Sequence, residues 1–358
     1  LKSHRHAVRT YAVLPPLTVA ACVASCCGVP VAMSRVAITG AFSYTGRYLA
    51  KLLLDGGHSV VSLSRRQAPL APAPLSPVDA KKVFPRPMDF SDEVQLGASL
   101  EGCDVLFCTY WIRFAMGGDS HDGAADRCAR LFNVARQAGV KRVVFTSHTR
   151  ATEDSPYAYL AGKAKACAAL RSAGLPSYAI ARPCGIFGDT PGESILMNNA
   201  AWVLRRSPLF LLAGDGSHRF QPIHVRDFSE LLLELGGFGA SGAGPAAQER
   251  DACGPDAPTS VELFSHIARA VGSRSIVRAP GVLSTKMVTT MSKPIDWLTG
   301  DIMLDKDDLD LLCSGLTVAD DPDDPAIAQR RSLLSWLDEV GPNLGKEYIS
   351  SVDRYYKK

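Results

Sequence analysis

Tyr159 and Lys163 stand four residues apart in Tyr159-Leu160-Ala161-Gly162-Lys163. On a helix, positions i and i+4 share a face, so the phenol and the ammonium become neighbours. An ammonium beside a phenol stabilises the phenolate and draws its pKa toward a range useful for proton transfer. Ser147 lies twelve residues earlier, at the end of the apolar run 142–147, and could polarise a substrate carbonyl. Asn133, on the preceding helical stretch, could complete a proton relay. These four residues form a candidate catalytic set. The alternative for the pair is a structural tyrosine beside a solvated lysine. His148 is either a second active-site group or a packed imidazole.

A second constellation lies near the start of the regular chain. Thr39-Gly40-Ala41-Phe42-Ser43-Tyr44-Thr45-Gly46 follows one apolar run and opens a helical one. A phosphate loop needs a tight turn, a backbone approach free of side chains and a helix N-terminus aimed at the anion. Gly40 supplies the turn, and Gly46 permits close packing of helix on strand. Ser43 stands where a third glycine is usual; it can still approach closely and donate a hydrogen bond. The next strand ends Ser64-Arg65-Arg66, and no acid lies between Asp55 and Asp79. A site for NAD(H) usually places an acid there for the ribose 2′-hydroxyl. Two guanidinium groups suit a 2′-phosphate instead, so NADP(H) is preferred over NAD(H). The alternative is that Arg65 and Arg66 are solvated surface charge. Asp89 either receives the adenine amino group or caps a helix. Lys163 would also hold the nicotinamide ribose.

The elements that must position these residues read as strands separated by helices. Strands are expected at 35–39, 59–65, 82–90, 104–110, 142–147 and 177–186. Helices are expected at 46–54, 92–100, 122–138 and 157–173. Such alternation makes an α/β fold, a Rossmann-type doubly wound parallel sheet. After Gly188 the pattern loosens. Helical stretches at 195–206, 226–235 and 260–271, and a largely helical tail from Leu283, read as a smaller, mostly helical lobe. The domain expectation is a leader over 1–33, a nucleotide-binding core over 34–190 and a substrate-side lobe over 191–358.

Composition narrows the classes. The chain has 358 residues, with 46% hydrophobic and 21% charged, an ordinary globular balance. A net charge of +3 with no basic–aromatic cluster argues against nucleic acid as a partner. Ten cysteines include no C-x-x-C pair and no zinc-ligand spacing; most sit in apolar runs and read as buried thiols. No metal site is expected. The first 54 residues hold no Asp or Glu. The apolar stretch 13–33 is broken by Pro15, Pro16 and Pro30, against a membrane span. A basic, acid-free, Ala-rich leader reads as organelle targeting, the mitochondrion before the plastid; if Met33 is the true start, the protein is cytoplasmic. There is no clear oligomer signal.

Five segments in order carry a resemblance. They are the glycine loop, Val143-Val144-Phe145-Thr146-Ser147, Tyr159…Lys163, Ala181-Arg182-Pro183…Phe187-Gly188, and Gln221-Pro222-Ile223-His224-Val225-Arg226-Asp227. Together they resemble the extended and atypical short-chain dehydrogenase/reductases, including NAD-dependent epimerase/dehydratase and NAD(P)H-binding proteins, from about Arg35 to the tail. The resemblance implies cofactor contacts at Gly40, Phe42, Ser43, Tyr44, Arg65 and Thr109, and a nicotinamide-side contact at Pro183. It implies catalysis by Ser147, Tyr159 and Lys163. Two departures stand out. Thr109-Tyr110-Trp111-Ile112-Arg113-Phe114 replaces a small, Gly/Ala-rich turn, and the gap from Ser147 to Tyr159 is short, which argues against a sugar-nucleotide substrate. Arg113 either meets an anionic substrate or pairs with Asp119 or Asp122. The chain is also similar to the NAD(P)H-binding accessory subunit of mitochondrial respiratory complex I. The first expectation is an NADP(H)-dependent oxidoreductase acting on an unnamed small carbonyl or alcohol. The alternative is a non-catalytic, NADPH-holding structural or assembly subunit of an organelle complex.

Overall fold

Short β-branched runs form the central sheet because both of its faces are covered by helices. Strand β1 (Arg35–Thr39) has Val36, Ala37 and Ile38 fully buried. The computed structural model describes residues 33–355, except 67, 70–72, 240–241 and 243. The leader reading for 1–33 therefore falls outside the described residues, apart from Met33. Residues 34–358 form one compact unit.

Helix α1 (Tyr44–Asp55) follows β1, then β2 (Ser59–Leu63), the short α2 (Pro77–Ala80) and β3 (Val83–Arg86). Helix α3 (Glu93–Leu100), β4 (Val105–Cys108), α4 (His121–Gln137), β5 (Arg142–Thr146), α5 (Ala158–Ser172) and β6 (Ser177–Pro183) complete the regular series. Beyond it come β7 (Ile186–Phe187), α6 (Ile195–Leu204), β8 (Leu209–Leu211), β9 (Ile223–His224), α7 (Val225–Leu235) and β10 (Ala247–Ala252). Helix α8 (Ser260–Ala270), β11 (Ile276–Arg278) and helices α9 (Thr285–Thr299), α10 (Lys306–Leu312), α11 (Pro325–Ala328), α12 (Leu333–Val340) and α13 (Ser351–Tyr355) close the chain.

Seven strands make one parallel sheet in the order β10-β6-β5-β4-β1-β2-β3. This is the expected doubly wound sheet. The order reverses between β1 and β4, and the carboxyl ends of those strands open a crevice. Helices α3, α4 and α5 bury one face of the sheet, with Leu131, Phe132 and Leu170 in the core. Helices α1 and α7 bury the other, with Leu49, Phe228 and Leu232. A third core, around Met197, Ile267 and Leu337, joins α6, α8 and α12 into the helical lobe.

Two of the differences from expectation have a clear physical reason. Strand β3 ends at Arg86 rather than Phe90, because the next residue, Pro87, has no N–H to offer a ladder. Strand β10 was not foreseen. Its sequence, Ala-Gln-Glu-Arg-Asp-Ala, has no β-branched or aromatic residue. It holds the sheet edge through charge pairs as well as ladder bonds: Glu249 with Arg171 at 2.7 Å, Arg250 with Glu234 at 3.0 Å, and Asp251 with Arg182 at 2.7 Å.

The turn after β1 depends on glycine twice. Gly40 has φ +79°, in the left-handed region. A Cβ on Gly46 would lie 2.0 Å from the Gly40 carbonyl oxygen. That oxygen belongs to backbone and already accepts from Ser43 N–H at 2.8 Å, so it cannot rotate aside. Gly46→Ala is expected to destabilise the fold by about 3 kcal/mol, the upper part of the overpacking range. Urea unfolding checks this; a loss below about 1 kcal/mol would show that the loop yields.

Candidate active site

The α1 N-terminus sits at the switch point of the sheet. Ser43 is its N-cap, and the serine Oγ accepts from Gly46 N–H at 3.4 Å. The hydroxyl expected to face a phosphate is thus turned to the helix itself. Phe42 is buried in the α1–α7 core, so its side chain faces away from the cleft. Tyr44 and Thr45 line the cleft, and the Tyr44 hydroxyl donates to the Gly188 carbonyl. Thr45 was missed, although its place beside Tyr44 in the loop was a usable signal. Thr109 is fixed across the switch point: its N–H donates to Thr39 Oγ1 at 2.8 Å and its Oγ1 to the Thr39 carbonyl at 2.7 Å.

The cleft has a volume of about 620 Å³. Ser147 and Thr146, at the end of β5, line it together with Tyr159 and Lys163 from α5 and with Arg65, Thr109 and Pro183. Helix α5 reaches this position because Gly162 permits it. A Cβ there would meet the His121 carbonyl oxygen, at the start of α4, at 2.8 Å.

Three expected residues lie elsewhere. Asn133 is exposed on α4, where its neighbours Phe132 and Val134 turn inward, so no relay through it is formed. Arg66 is exposed and directs its Nη2 to the Arg354 carbonyl at 3.3 Å; Arg65 alone of the pair lines the cleft. Asp89 accepts from Ser91 N–H at 2.8 Å and from Ser91 Oγ at 2.6 Å. It is spent on a local turn beyond the shortened β3, and Asp92 caps α3.

The electrostatics of the Tyr159–Lys163 pair run against the expected sense. Lys163 is buried and donates to the Thr146 carbonyl at 2.7 Å. Its ammonium lies 4.1 Å from the centroid of the Trp111 ring and 5.0 Å from that of Phe145, both favourable cation–π contacts. Burial brings it down to about 8, opposed by the thiols of Cys128, Cys108 and Cys167. Tyr159 is pushed above the ordinary phenol range by burial, then by the Asp308 carboxylate, with Arg113 opposing. The ammonium is drawn to a carbonyl and an indole, so the phenol remains a phenol.

The bulky loop after β4 makes this environment. Trp111 stacks on His121, with centroids 6.2 Å apart, and meets Tyr159 edge-on at 6.1 Å. His148 meets Tyr159 at 5.6 Å, is buried, and is held at about 4 chiefly by burial. It is a neutral imidazole whose Nδ1 lies 2.8 Å from the Thr149 carbonyl. Arg113 pairs with neither expected partner. Asp308, on α10, lies 3.6 Å away, while Asp119 pairs with Arg127 and Asp122 with Lys165. No local sequence signal could have linked Asp308 to this cleft, because about half the chain separates it from Tyr159. Ser147 Oγ accepts from the Cys167 thiol at 3.0 Å, which leaves its own proton to donate. Among the described residues, Thr146 Oγ1, Trp111 Nε1 and Arg113 Nε are buried without a hydrogen-bond partner. All three belong to residues lining the cleft. The described cysteines are free thiols, and the described residues contain no His/Cys/Asp/Glu group able to hold a metal.

Residues 40–201 match the NAD(P)H-binding family model. Solved structures share its fold at low identity. The NADPH-dependent quinone oxidoreductase of Escherichia coli, in complex with NADPH, superposes with TM-score 0.63 at 20% identity, over 85% of this chain and 99% of that one. The triphenylmethane reductase of Citrobacter sp. gives 0.65 at 16%, over 86% and 99%. An uncharacterized protein of Mycobacterium tuberculosis is 30% identical over 113 residues, 32% of this chain but 12% of that protein. The mitochondrial NADH dehydrogenase [ubiquinone] 1 alpha subcomplex subunit 9 of Dictyostelium discoideum is 26% identical over 202 residues, 55% of this chain and 54% of that subunit. No helix of the described residues is long and apolar enough to cross a membrane.

Lys163 gives a test with a defined sign. Its folded pKa, about 8, lies below the ordinary 10.5, so between those values the unfolded chain binds more protons and stability rises with pH. The penalty is full below about 8 and gone above 10.5, roughly 3 kcal/mol at 1.36 kcal/mol per tenfold. Lys163→Met is therefore expected to unfold at higher urea than wild type at neutral pH. Its advantage should shrink as pH rises through that window; a constant gap would show that the ammonium is not strained by burial.

Proposed function

We propose that this chain is an NADP(H)-dependent oxidoreductase that moves a hydride between nicotinamide and a small carbonyl or alcohol. The observation that carries this reading is the meeting of Ser147, Tyr159 and Lys163 with Thr109, Pro183 and Arg65 in one cleft. The α1 N-terminus and the Gly40 turn would hold the pyrophosphate, and Arg65 the 2′-phosphate. When bound, the nicotinamide supplies or accepts the hydride. The chain's own residues handle the proton. Ser147 orients the substrate oxygen through the hydrogen that Cys167 leaves free. Tyr159, kept protonated by its surroundings, holds a proton at its Oη ready for that oxygen. This favours carbonyl reduction over alcohol oxidation near neutral pH. Lys163 anchors the ribose once it turns from the Thr146 carbonyl, and Trp111 bounds the substrate side and excludes water.

A second reading has its own support. Trp111 packs over the Lys163 ammonium and against Tyr159, filling part of the space where a substrate would sit, and one relative is a mitochondrial complex subunit. In that reading the chain holds NADPH without turning it over and belongs to an organelle assembly.

Thermal unfolding with NADPH, NADP⁺, NADH and NAD⁺ tests the site first. A phosphorylated dinucleotide at about 100 times its Kd should add about 2.7 kcal/mol, and Arg65→Asp should transfer the preference to NAD(H). Unaltered NADP(H) stabilisation in Arg65→Asp would remove Arg65 from the assignment. Tyr159→Phe should then lower carbonyl-dependent NADPH oxidation by about 10²–10⁴-fold while leaving the nucleotide-induced shift in place. Absence of turnover across a carbonyl panel, with NADPH found by mass spectrometry in the denatured protein, would favour the structural-subunit reading.

A further inference from the structure

Helix α9 is built inside out. The stripe Thr285, Thr289, Ser292, Asp296 and Thr299 follows the helical repeat and is wholly polar. Thr289 and Ser292 on it are buried. Their hydroxyls are satisfied on the helix itself: Thr289 donates to the Thr285 carbonyl at 3.0 Å and Ser292 to the Thr289 carbonyl at 2.9 Å. Asp296 accepts from Met303 N–H at 2.9 Å. The opposite side carries Met287, Met291, Pro294 and Leu298 in one row, and Lys286, Thr290, Lys293 and Trp297 in the next; all eight are exposed. Trp297 is 87% exposed and Leu298 71%. A helix packed on a protein in water turns its apolar stripe inward. This one turns Met287, Met291, Trp297 and Leu298 out and leaves Val288 and Ile295 half-buried.

The charges on that face are Lys286 and Lys293, both exposed. Asp296 is already engaged, with Met303 N–H and with Lys293 at 3.1 Å. A two-fold contact crossing α9 midway between Lys286 and Lys293 would set each against the other lysine of the second copy, a repulsive arrangement. An indole flanked by methionine, leucine and lysine suits the boundary between headgroups and acyl chains. We propose that α9 is a docking surface for an anionic lipid bilayer. Trp297, Leu298 and Met291 enter the interfacial layer, and Lys286 and Lys293 meet the headgroup phosphates. The helix lies in the plane of the membrane and does not cross it. Its 15 residues, at about 1.5 Å of rise each, lay a line of contact along the surface.

The test is vesicle flotation of the full chain. Vesicles of phosphatidylcholine alone are compared with vesicles of phosphatidylcholine mixed with phosphatidylglycerol, at low and high salt and without nucleotide. The chain is expected to float with the anionic vesicles, less so at high salt, and not with the neutral ones. Lys286→Gln and Lys293→Gln should each weaken binding about fivefold. Trp297→Ser with Leu298→Ser should abolish it while leaving the circular dichroism and the melting transition unchanged, because both side chains are exposed. No flotation on anionic vesicles at low salt would overturn the proposal. Flotation unaltered by the Trp297/Leu298 change would overturn it too, and would place the contact elsewhere in the chain. A concentration-dependent dimer in sedimentation, lost in the double variant and unaccompanied by vesicle binding, would replace the bilayer with a second copy.

Discussion

The carbonyl of Gly40 occupies the space that any side chain on Gly46 would need, and the nucleotide end of the cleft is arranged around that contact. It seats α1 directly on the turn after β1, aims the helix N-terminus across the switch point, and leaves room for Thr39 to tie β1 to Thr109 beyond β4. Ser43, at the middle position of the loop, caps the helix by accepting from Gly46 N–H.

At the other end of the cleft, burial overrides proximity. Tyr159 and Lys163 share a helical face, yet the ammonium is claimed by the Thr146 carbonyl and the Trp111 ring, and the phenol is shielded and faces Asp308. The spacing of two residues specifies which face they occupy. It does not specify the dielectric around them or the carboxylate that a distant helix brings to the same space.

That distinction separates what could be read in the chain from what could not. The positions of Gly40, Gly46, Ser147, Tyr159 and Lys163 were legible because the strands before them are short β-branched runs. Asn133 failed because helix phase decides orientation, and one step either way along α4 lies an inward residue. Arg66 is engaged by the Arg354 carbonyl and Asp89 by Ser91. Strand β10 was invisible because its edge position asks for charge pairing rather than β-branched packing. Asp308 was invisible because only the fold of the tail brings it to Arg113.

The two edges of the sheet have a shared consequence for how the molecule behaves in a crowded solution. An open strand edge is a template on which another chain can add. On β3, Pro85 has no amide hydrogen to offer such a chain. On β10, side chains of both signs are already paired to the body of the protein, so an incoming strand would have to separate charges before it gained hydrogen bonds. The parallel sheet therefore ends at seven strands without needing a partner molecule to cap it, and the features that hid β10 from sequence reading also guard it against aggregation.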